Sequence, residues 1–452
     1  MQDLKHITRK KSFLSTLRSL RHRNRRLLPP SVDDRDSTSP LRRPRLLRPV
    51  LTLIAVVLAL YPIAGLVVDN GKRFISYLVP SPSSPGERTP PLTAPQSFGL
   101  AASSLDRMTV RNDRCVTVTP RGDEITLSLI PELQEKMKSY LAANRVPFAI
   151  FIAMEPSTGK VLAMTSHSEV DPAWERRAFY DLYPMASLFK IITASAALEQ
   201  KKVNPDTVIE FRGTLTSENP RYWAPGNRKN NQMELDLAMG KSVNPVFGRL
   251  ANDIVGKETL LSYTERFGFN QTLFPDTPIP PSRAEPPQTP EEVMLMGAGL
   301  GREVKLSPFH AAAIIASIAN QGTMMAPILA ESVTSREGKT IFTSTPHELR
   351  RIVSPQTAEK LSRMLVTTVR SGTSRRAFHD RRGRTLLGPL TIAAKTGSIT
   401  GTSPPGQYSW FAAYAPVERP RIALVALVIN QKAWKIKASH VGEKGLETFF
   451  RE

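Results

Sequence analysis

The spacing of apolar and polar positions changes character several times along the chain. The run PVLTLIAVVLALYPIAGLVV, residues 49–68, carries no charge across 20 residues. As a helix it would be about 30 Å long, matching the hydrocarbon core of a bilayer. A signal-peptide core is shorter and starts near the N-terminus, and a buried soluble helix of this length shows a polar face. The pattern therefore predicts an uncleaved transmembrane signal anchor, with Pro62 tolerated inside it. Next comes VPSPSSPGERTPPLTAPQSF, residues 79–98, whose prolines and serines predict an extended spacer. Residues 69–114 are accordingly read as a linker, and a folded domain is expected over residues 115–452.

Within that domain the periodicity predicts a helix over residues 132–144. Two strands follow, 148–155 and 160–165, joined by a turn at Pro156-Ser157-Thr158-Gly159. A helix-rich section runs from about residue 186 to 320. Strands return at 390–399, 408–414 and 421–430, and a last helix is predicted over 443–450. Strands at both ends that bracket a helical insert predict an α+β domain, a sheet covered by helices with the insert as a lobe. The chain contains no internal repeat.

Charge refines this picture mainly through its position. Residues 1–48 hold 14 Lys and Arg against 4 Asp, about +10 of the formal +21. The remaining 404 residues hold 47 basic and 36 acidic side chains, a mild surplus. The basic, turn-rich first 48 residues thus read as a disordered tail beside the apolar run. Arg42, Arg43, Arg45 and Arg48 crowd its N-terminal flank, against Lys72 and Arg73 on the other side. The heavier basic flank stays in the cytoplasm, so the large C-terminal part is expected outside it, with the tail attracted to anionic lipid headgroups. No nucleic-acid motif accompanies the charge, and no nucleic-acid partner is expected. Cys115 is the only cysteine, so no intramolecular disulfide can form. The seven histidines have no metal-ligand spacing, and neither a metal nor a cofactor is expected.

Three short motifs carry candidate chemistry. Ser187-Leu188-Phe189-Lys190 follows Pro184 at the start of a helical run, so i, i+3 spacing places Ser187 and Lys190 on one face. A serine hydroxyl needs a neighbouring base to take its proton, and a lysine amine can serve if burial and nearby positive charge lower its pKa. Ser242-Val243-Asn244 precedes Pro245; here Asn244 reads as an N-cap of a helix over 245–254, with Ser242 exposed on the loop rim to relay a proton. Lys395-Thr396-Gly397-Ser398 lies on the apolar, β-branched run TIAAKTGSIT. Glycine inside a strand marks the close approach of another backbone, such as a peptide substrate. Lys395 would supply positive potential there, and Thr396 and Ser398 hydroxyls for a carboxylate. Taken singly, each motif also fits an ordinary cap, solvated lysine or bulged strand.

Together, in this order over one domain, Ser-x-x-Lys, Ser-x-Asn and Lys-Thr-Gly resemble the set found in penicillin-binding proteins and serine β-lactamases. The similarity extends over about residues 123–450 through EPSTGKVLAM, GREVKLSPFHAAAIIASIANQGTMMAP, SGTSRRAF and YSWFAAYAP. It implies an antiparallel sheet flanked by helices with an all-helical lobe. It also implies a cell-wall D,D-transpeptidase that forms an acyl-enzyme on Ser187 and is acylated by β-lactams. By motif position, Lys190 would be the general base, Ser242 the proton shuttle and Asn244 a partner of the substrate amide. Lys395, Thr396, Gly397 and Ser398 would hold the terminal carboxylate of a D-Ala-D-Ala stem peptide. Backbone N–H groups of Ser187 and Ser398 would form the oxyanion hole.

The chain departs from the family pattern in ways that set further expectations. No glycosyltransferase domain fits between residues 68 and 115, which points to a monofunctional, class B-like protein. The large pedestal common in that class is replaced by the short linker. The central motif is Ser-Val-Asn, not the Ser-Asp-Asn of class A β-lactamases, and no Glu-x-x-Leu-Asn segment supplies a deacylating base. Slow β-lactam hydrolysis is therefore expected. A membrane glycan polymerase is the implied partner, and the resemblance implies a bacterial inner-membrane location with the domain on the periplasmic side. A D,D-carboxypeptidase or endopeptidase shares the same motifs, and a penicillin sensor or idle scaffold of the division complex is the non-enzyme alternative.

Overall fold

The computed structural model describes residues 92–227, 230–431 and 434–451. The predicted tail, the uncharged run 49–68 and the first part of the linker lie outside the described residues. Among the described residues, no helix is long and apolar enough to cross a membrane.

The core is a five-stranded antiparallel sheet made from strands at the two ends of the domain. They are β1 (Phe148–Met154), β2 (Val161–His167), β3 (Ala393–Thr402), β4 (Pro405–Ala415) and β5 (Ile422–Asn430), in spatial order β3-β4-β5-β1-β2. Every residue of β1 and β5 is buried. Both faces of the sheet are covered by helices, so these strands read as continuous apolar runs instead of alternating ones.

Among the described residues, eleven α-helices complete the frame. They are α1 (Ala94–Ser103), α2 (Pro131–Ala143), α3 (Lys190–Glu199), α4 (Leu235–Lys241), α5 (Asn244–Arg249), α6 (Lys257–Arg266), α7 (Pro290–Gly297), α8 (Pro308–Ala319), α9 (Pro355–Arg370), α10 (Arg375–Phe378) and α11 (Ala438–Phe450). One face of the sheet (Ile150, Ile152, Trp410, Val425, Leu427) packs on α8 and the helical lobe. The other (Ala149, Phe151, Phe411, Leu424, Val428) packs on α2 and α11. Helix α3 is buried from Lys190 to Leu198, as expected of a helix that is apolar all round.

The predicted α+β arrangement and helical lobe are observed, with boundaries displaced by a few residues. Three expectations change. The ordered fold begins upstream of Cys115. Inside the segment read as linker, α1 is closed by a Thr93/Gln96 capping box, and its Phe98 packs edge-on against Phe309 of α8 at 5.6 Å. A second antiparallel sheet was not predicted; it joins Thr109–Arg111, Arg114–Val118 and Glu124–Leu127 to Ala330–Thr334 and Thr340–Thr343. Finally, the helix expected over 245–254 is split, because α5 passes into a π-helical turn, Leu250–Val255.

Candidate active site

Four backbone segments converge where the lobe meets the β3 edge of the sheet. Ser187 sits in a 3-10 turn, Ala186–Phe189, that runs directly into α3. Tyr183–Pro184 pairs antiparallel with Lys305–Leu306, the Met185 N–H donates to the Val304 carbonyl at 2.9 Å, and Trp410 Nε1 donates to the Pro184 carbonyl at 2.9 Å. These bonds force a sharp entry, and Ala186 takes φ +54°, a left-handed conformation that a residue with a Cβ adopts only at a cost. Room for the turn comes from Gly299 (φ +70°), where an added Cβ would stand 2.3 Å from the Ala186 carbonyl oxygen. Gly397 fills the same need from the strand side, its would-be Cβ lying 3.2 Å from the Ala186 Cβ and 3.4 Å from the Ser187 nitrogen. The close approach expected at Gly397 is thus made by the Ser187 turn itself.

Lys190 is fully buried, and its Nζ makes three contacts, to Ser187 Oγ at 2.8 Å, Asn244 Oδ1 at 2.8 Å and the Ala298 carbonyl at 2.5 Å. A neutral amine has two N–H groups and one lone pair. Donating to Asn244 and Ala298 leaves that lone pair for the Ser187 hydroxyl proton. Burial first, and then the positive charge of Lys395, hold the Lys190 amine well below its ordinary pKa. Ser187 is 9% exposed, whereas Lys190 is sealed completely behind it.

Ser242 ends α4 in the left-handed region, φ +58°, with its N–H on the Met239 carbonyl and the Val243 N–H on the Ala238 carbonyl. That cap turns the Ser242 side chain toward β3, where Lys395 Nζ donates to Ser242 Oγ at 2.8 Å and to the Thr396 carbonyl at 2.7 Å. Burial pushes the Lys395 amine down to about 7. Thr396 Oγ1 meets Thr373 Oγ1 at 2.5 Å, and Ser398 is exposed farther along the strand. Cation and hydroxyls thus gather at the Thr396 end of the edge strand. Unpaired strand edges present backbone groups to an added extended peptide.

The residues singled out by motif therefore come together where the Ser187 turn, the α4–α5 junction and β3 meet, although they span 212 positions from Ser187 to Ser398. One reading is corrected. Asn244 is not an N-cap: Val243 holds that position, and Asn244 is the first residue of α5. Its Oδ1 accepts from Lys190, and its Nδ2 donates to the Ser217 carbonyl at 3.3 Å. Sequence reasoning missed Ala298, because a backbone carbonyl carries no sequence signal. It marked the Gly372-Thr373 segment only as a resemblance, without the contact to Thr396.

A serine activated by a buried lysine, at the junction of an antiparallel sheet and a helical lobe, defines a serine acyl-transfer protein. The sequence model of the penicillin-binding protein transpeptidase domain matches residues 149–445. The chain belongs to that family. It is 30% identical to the peptidoglycan D,D-transpeptidase PbpA of Mycolicibacterium smegmatis over 353 residues, 68% of each chain. It is 27% identical to the stage V sporulation protein D of Bacillus subtilis over 63% of this chain and 45% of that one. Among solved structures, PBPA from Mycobacterium tuberculosis superposes with a TM-score of 0.60 at 25% identity, covering 73% of this chain and 82% of that one. The imipenem acyl-enzyme of the same protein gives 0.60 at 27% identity, covering 74% and 80%.

Proposed function

We propose that the chain is a peptidoglycan D,D-transpeptidase that cross-links stem peptides through an acyl-enzyme on Ser187 and is blocked by β-lactams. The observation that carries this reading is the 2.8 Å contact between Ser187 Oγ and a buried Lys190 amine whose other partners are both acceptors. Ser187 Oγ attacks the carbonyl of the penultimate D-Ala, and Lys190 takes the hydroxyl proton. The Oγ–C bond forms and the peptide C–N bond breaks. The proton leaves on the D-Ala amine, relayed by the Ser242 hydroxyl. Lys395, Thr396 and Ser398 hold the terminal carboxylate, while the second Nδ2–H of Asn244 would serve a substrate amide.

Backbone N–H groups of Ser187 and Ser398 would stabilise the oxyanion, each such donor being worth about 2.7–4 kcal/mol. An amine of a second stem peptide then attacks the ester. The new C–N bond forms, the C–Oγ bond breaks, and the amine proton returns to Ser187.

The uncharged run at residues 49–68 and its basic N-terminal flank support a single-pass anchor in the bacterial inner membrane, with the tail cytoplasmic and the domain periplasmic. In that setting the lipid bilayer is a constant neighbour, and a membrane glycan polymerase supplies the strands to be cross-linked. Relatives named for sporulation and for peptidoglycan transpeptidation fit a part in cell shape or division. The test is fluorescent penicillin labelling of membranes carrying the wild-type chain or Ser187→Ala. A stable band near 50 kDa in the wild type alone is expected. Equal labelling of Ser187→Ala would remove the serine from the mechanism.

A further inference from the structure

Between α9 and β3 the chain reads RSGTSRRAFHDRRGR, residues 370–384, with six arginines against one acidic residue, Asp380. The segment begins in the cleft. The Thr373 N–H donates to the Gly240 carbonyl at 3.0 Å, and its hydroxyl meets Thr396 on β3 at 2.5 Å. It then forms α10, anchored by Phe378 stacked on Phe411 with ring centres 5.6 Å apart. After α10 it turns back as a hairpin, with His379 bridged to Thr385 and the Leu386 N–H on the Phe378 carbonyl.

The hairpin is held by its own carboxylate. Asp380 accepts from the backbone N–H groups of Arg382 and Arg384 at 2.8 and 2.9 Å and from Arg384 Nε at 2.8 Å. Asp380 is thereby committed to the turn and to one arginine. Arg375, Arg376, Arg381 and Arg382 stand exposed around it. The Arg375 guanidinium lies against Gly383, where an added Cβ would be 3.2 Å from Nη2. A fixed turn thus presents an array of guanidinium forks at the end of a segment whose head, Thr373, touches the edge strand.

The position of this array selects its ligand, given the transpeptidase reading above, on which the inference rests. Lys395, Ser242, Thr396 and Thr373 mark the end of β3 where the leaving D-Ala and its carboxylate sit. Microscopic reversibility requires the attacking amine to enter where the leaving amine departed. An acceptor peptide leaving past Thr373 would follow the segment that leads from Thr373 to the hairpin. We propose that the arginine hairpin, residues 375–384, is an acceptor subsite that takes the free carboxylates of the second stem peptide. Guanidinium forks match carboxylates in a bidentate way, and an ordered turn lowers the cost of presenting them.

The experiment uses the full chain in detergent and two fluorescent stem peptides with a free amine, one with free carboxylates and one amidated. On a Ser187→Ala background, Arg381→Gln/Arg382→Gln is expected to weaken binding of the acidic peptide about 5- to 10-fold at low salt and to leave the amidated peptide unchanged. The difference shrinks toward 1 M salt, where the screening length falls to about 3 Å. Arg381→Lys/Arg382→Lys recovers part of the affinity by restoring charge without the fork.

With Ser187 present, the Gln variant acylates with penicillin at the wild-type rate but diverts product from cross-linking to hydrolysis. Equal affinity of the parent chain for the two peptides, or of parent and Gln variant for the acidic one, overturns the subsite. A wild-type chain that labels with penicillin yet forms no cross-linked product overturns the transpeptidase reading instead, and the titration still decides the role of the arginines.

Discussion

The cleft contains two serine–lysine pairs that look alike at their contacts and differ in almost everything else. In both, a fully buried lysine stands 2.8 Å from a serine oxygen. Ser187 and Lys190 lie in one turn, three residues apart, so local helical geometry alone brings them together. Ser242 and Lys395 lie 153 positions apart and meet only because α4 ends beside β3. The first lysine places all its hydrogen-bonding capacity inside the protein. The second bonds Ser242 Oγ and the Thr396 carbonyl, both beside the β3 edge. Burial lowers both amines, and the charge of Lys395 lowers Lys190 further. Under the proposed mechanism the comparison becomes a division of labour, in which one amine would work neutral as a base and the other charged as an anchor.

The largest expected effect tests the base. Lys190→Met should slow acylation of Ser187 by penicillin about 10²- to 10⁴-fold, read by stopped-flow or timed gel labelling. Lys395→Met should cost less, about 10- to 100-fold for a carboxylate-bearing penicillin, the worth of a hydrogen bond to a charged group. A comparable ligand without the carboxylate should lose little. Equal losses for the two lysines would mean that both act on the same proton, and the division of labour would fail.

The pH profile sharpens the comparison. A base must be neutral, so acylation rises as pH increases through the depressed Lys190 pKa. An anchor must be charged, so acylation falls as pH passes through about 7, where Lys395 loses its proton. A bell is expected. Lys395→Met should remove its falling limb and move the rising limb to higher pH, because a neighbouring positive charge is gone. A profile that only rises would exclude Lys395 as a charged anchor.

Two smaller effects probe the supports. Asn244→Ala leaves one Lys190 N–H without its acceptor and should slow acylation about 10-fold, the cost of an unsatisfied buried donor. Ala186→Gly relieves the left-handed backbone before the nucleophile and should raise stability by about 0.5–1 kcal/mol in thermal unfolding. A loss of stability there would show that the Ala186 methyl matters more than the strain.

How far the site could be read beforehand depended on the range of each interaction. The Ser187–Lys190 contact was legible because it repeats a helical spacing. The core strands were legible because burial on both faces leaves apolar runs. Asn244 was misread as a cap, since Asn before Pro is a good helix start and nothing local reveals a lysine 54 positions away. The helix at residues 94–103 was missed because the prolines upstream dominated the composition, while its partner Phe309 lies far along the chain. The second sheet was missed for a similar reason: short, exposed strands such as Thr109–Arg111 carry little periodicity, and Glu124–Leu127 pairs with Ala330–Thr334, far along the chain.

The sequence by itself determined the family, the three motifs with their Ser187–Lys190 pair, and the α+β class, because local spacing and the order of motifs carry that information. Only the tertiary structure decided that Ser242 faces Lys395, that the Ala298 carbonyl completes the lysine cage, that Gly299 and Gly397 make room for the Ser187 turn, and that Thr373, at the head of the arginine segment, meets Thr396 on β3. Each of these depends on segments that approach across a fold. No residue type records how close a distant backbone will come.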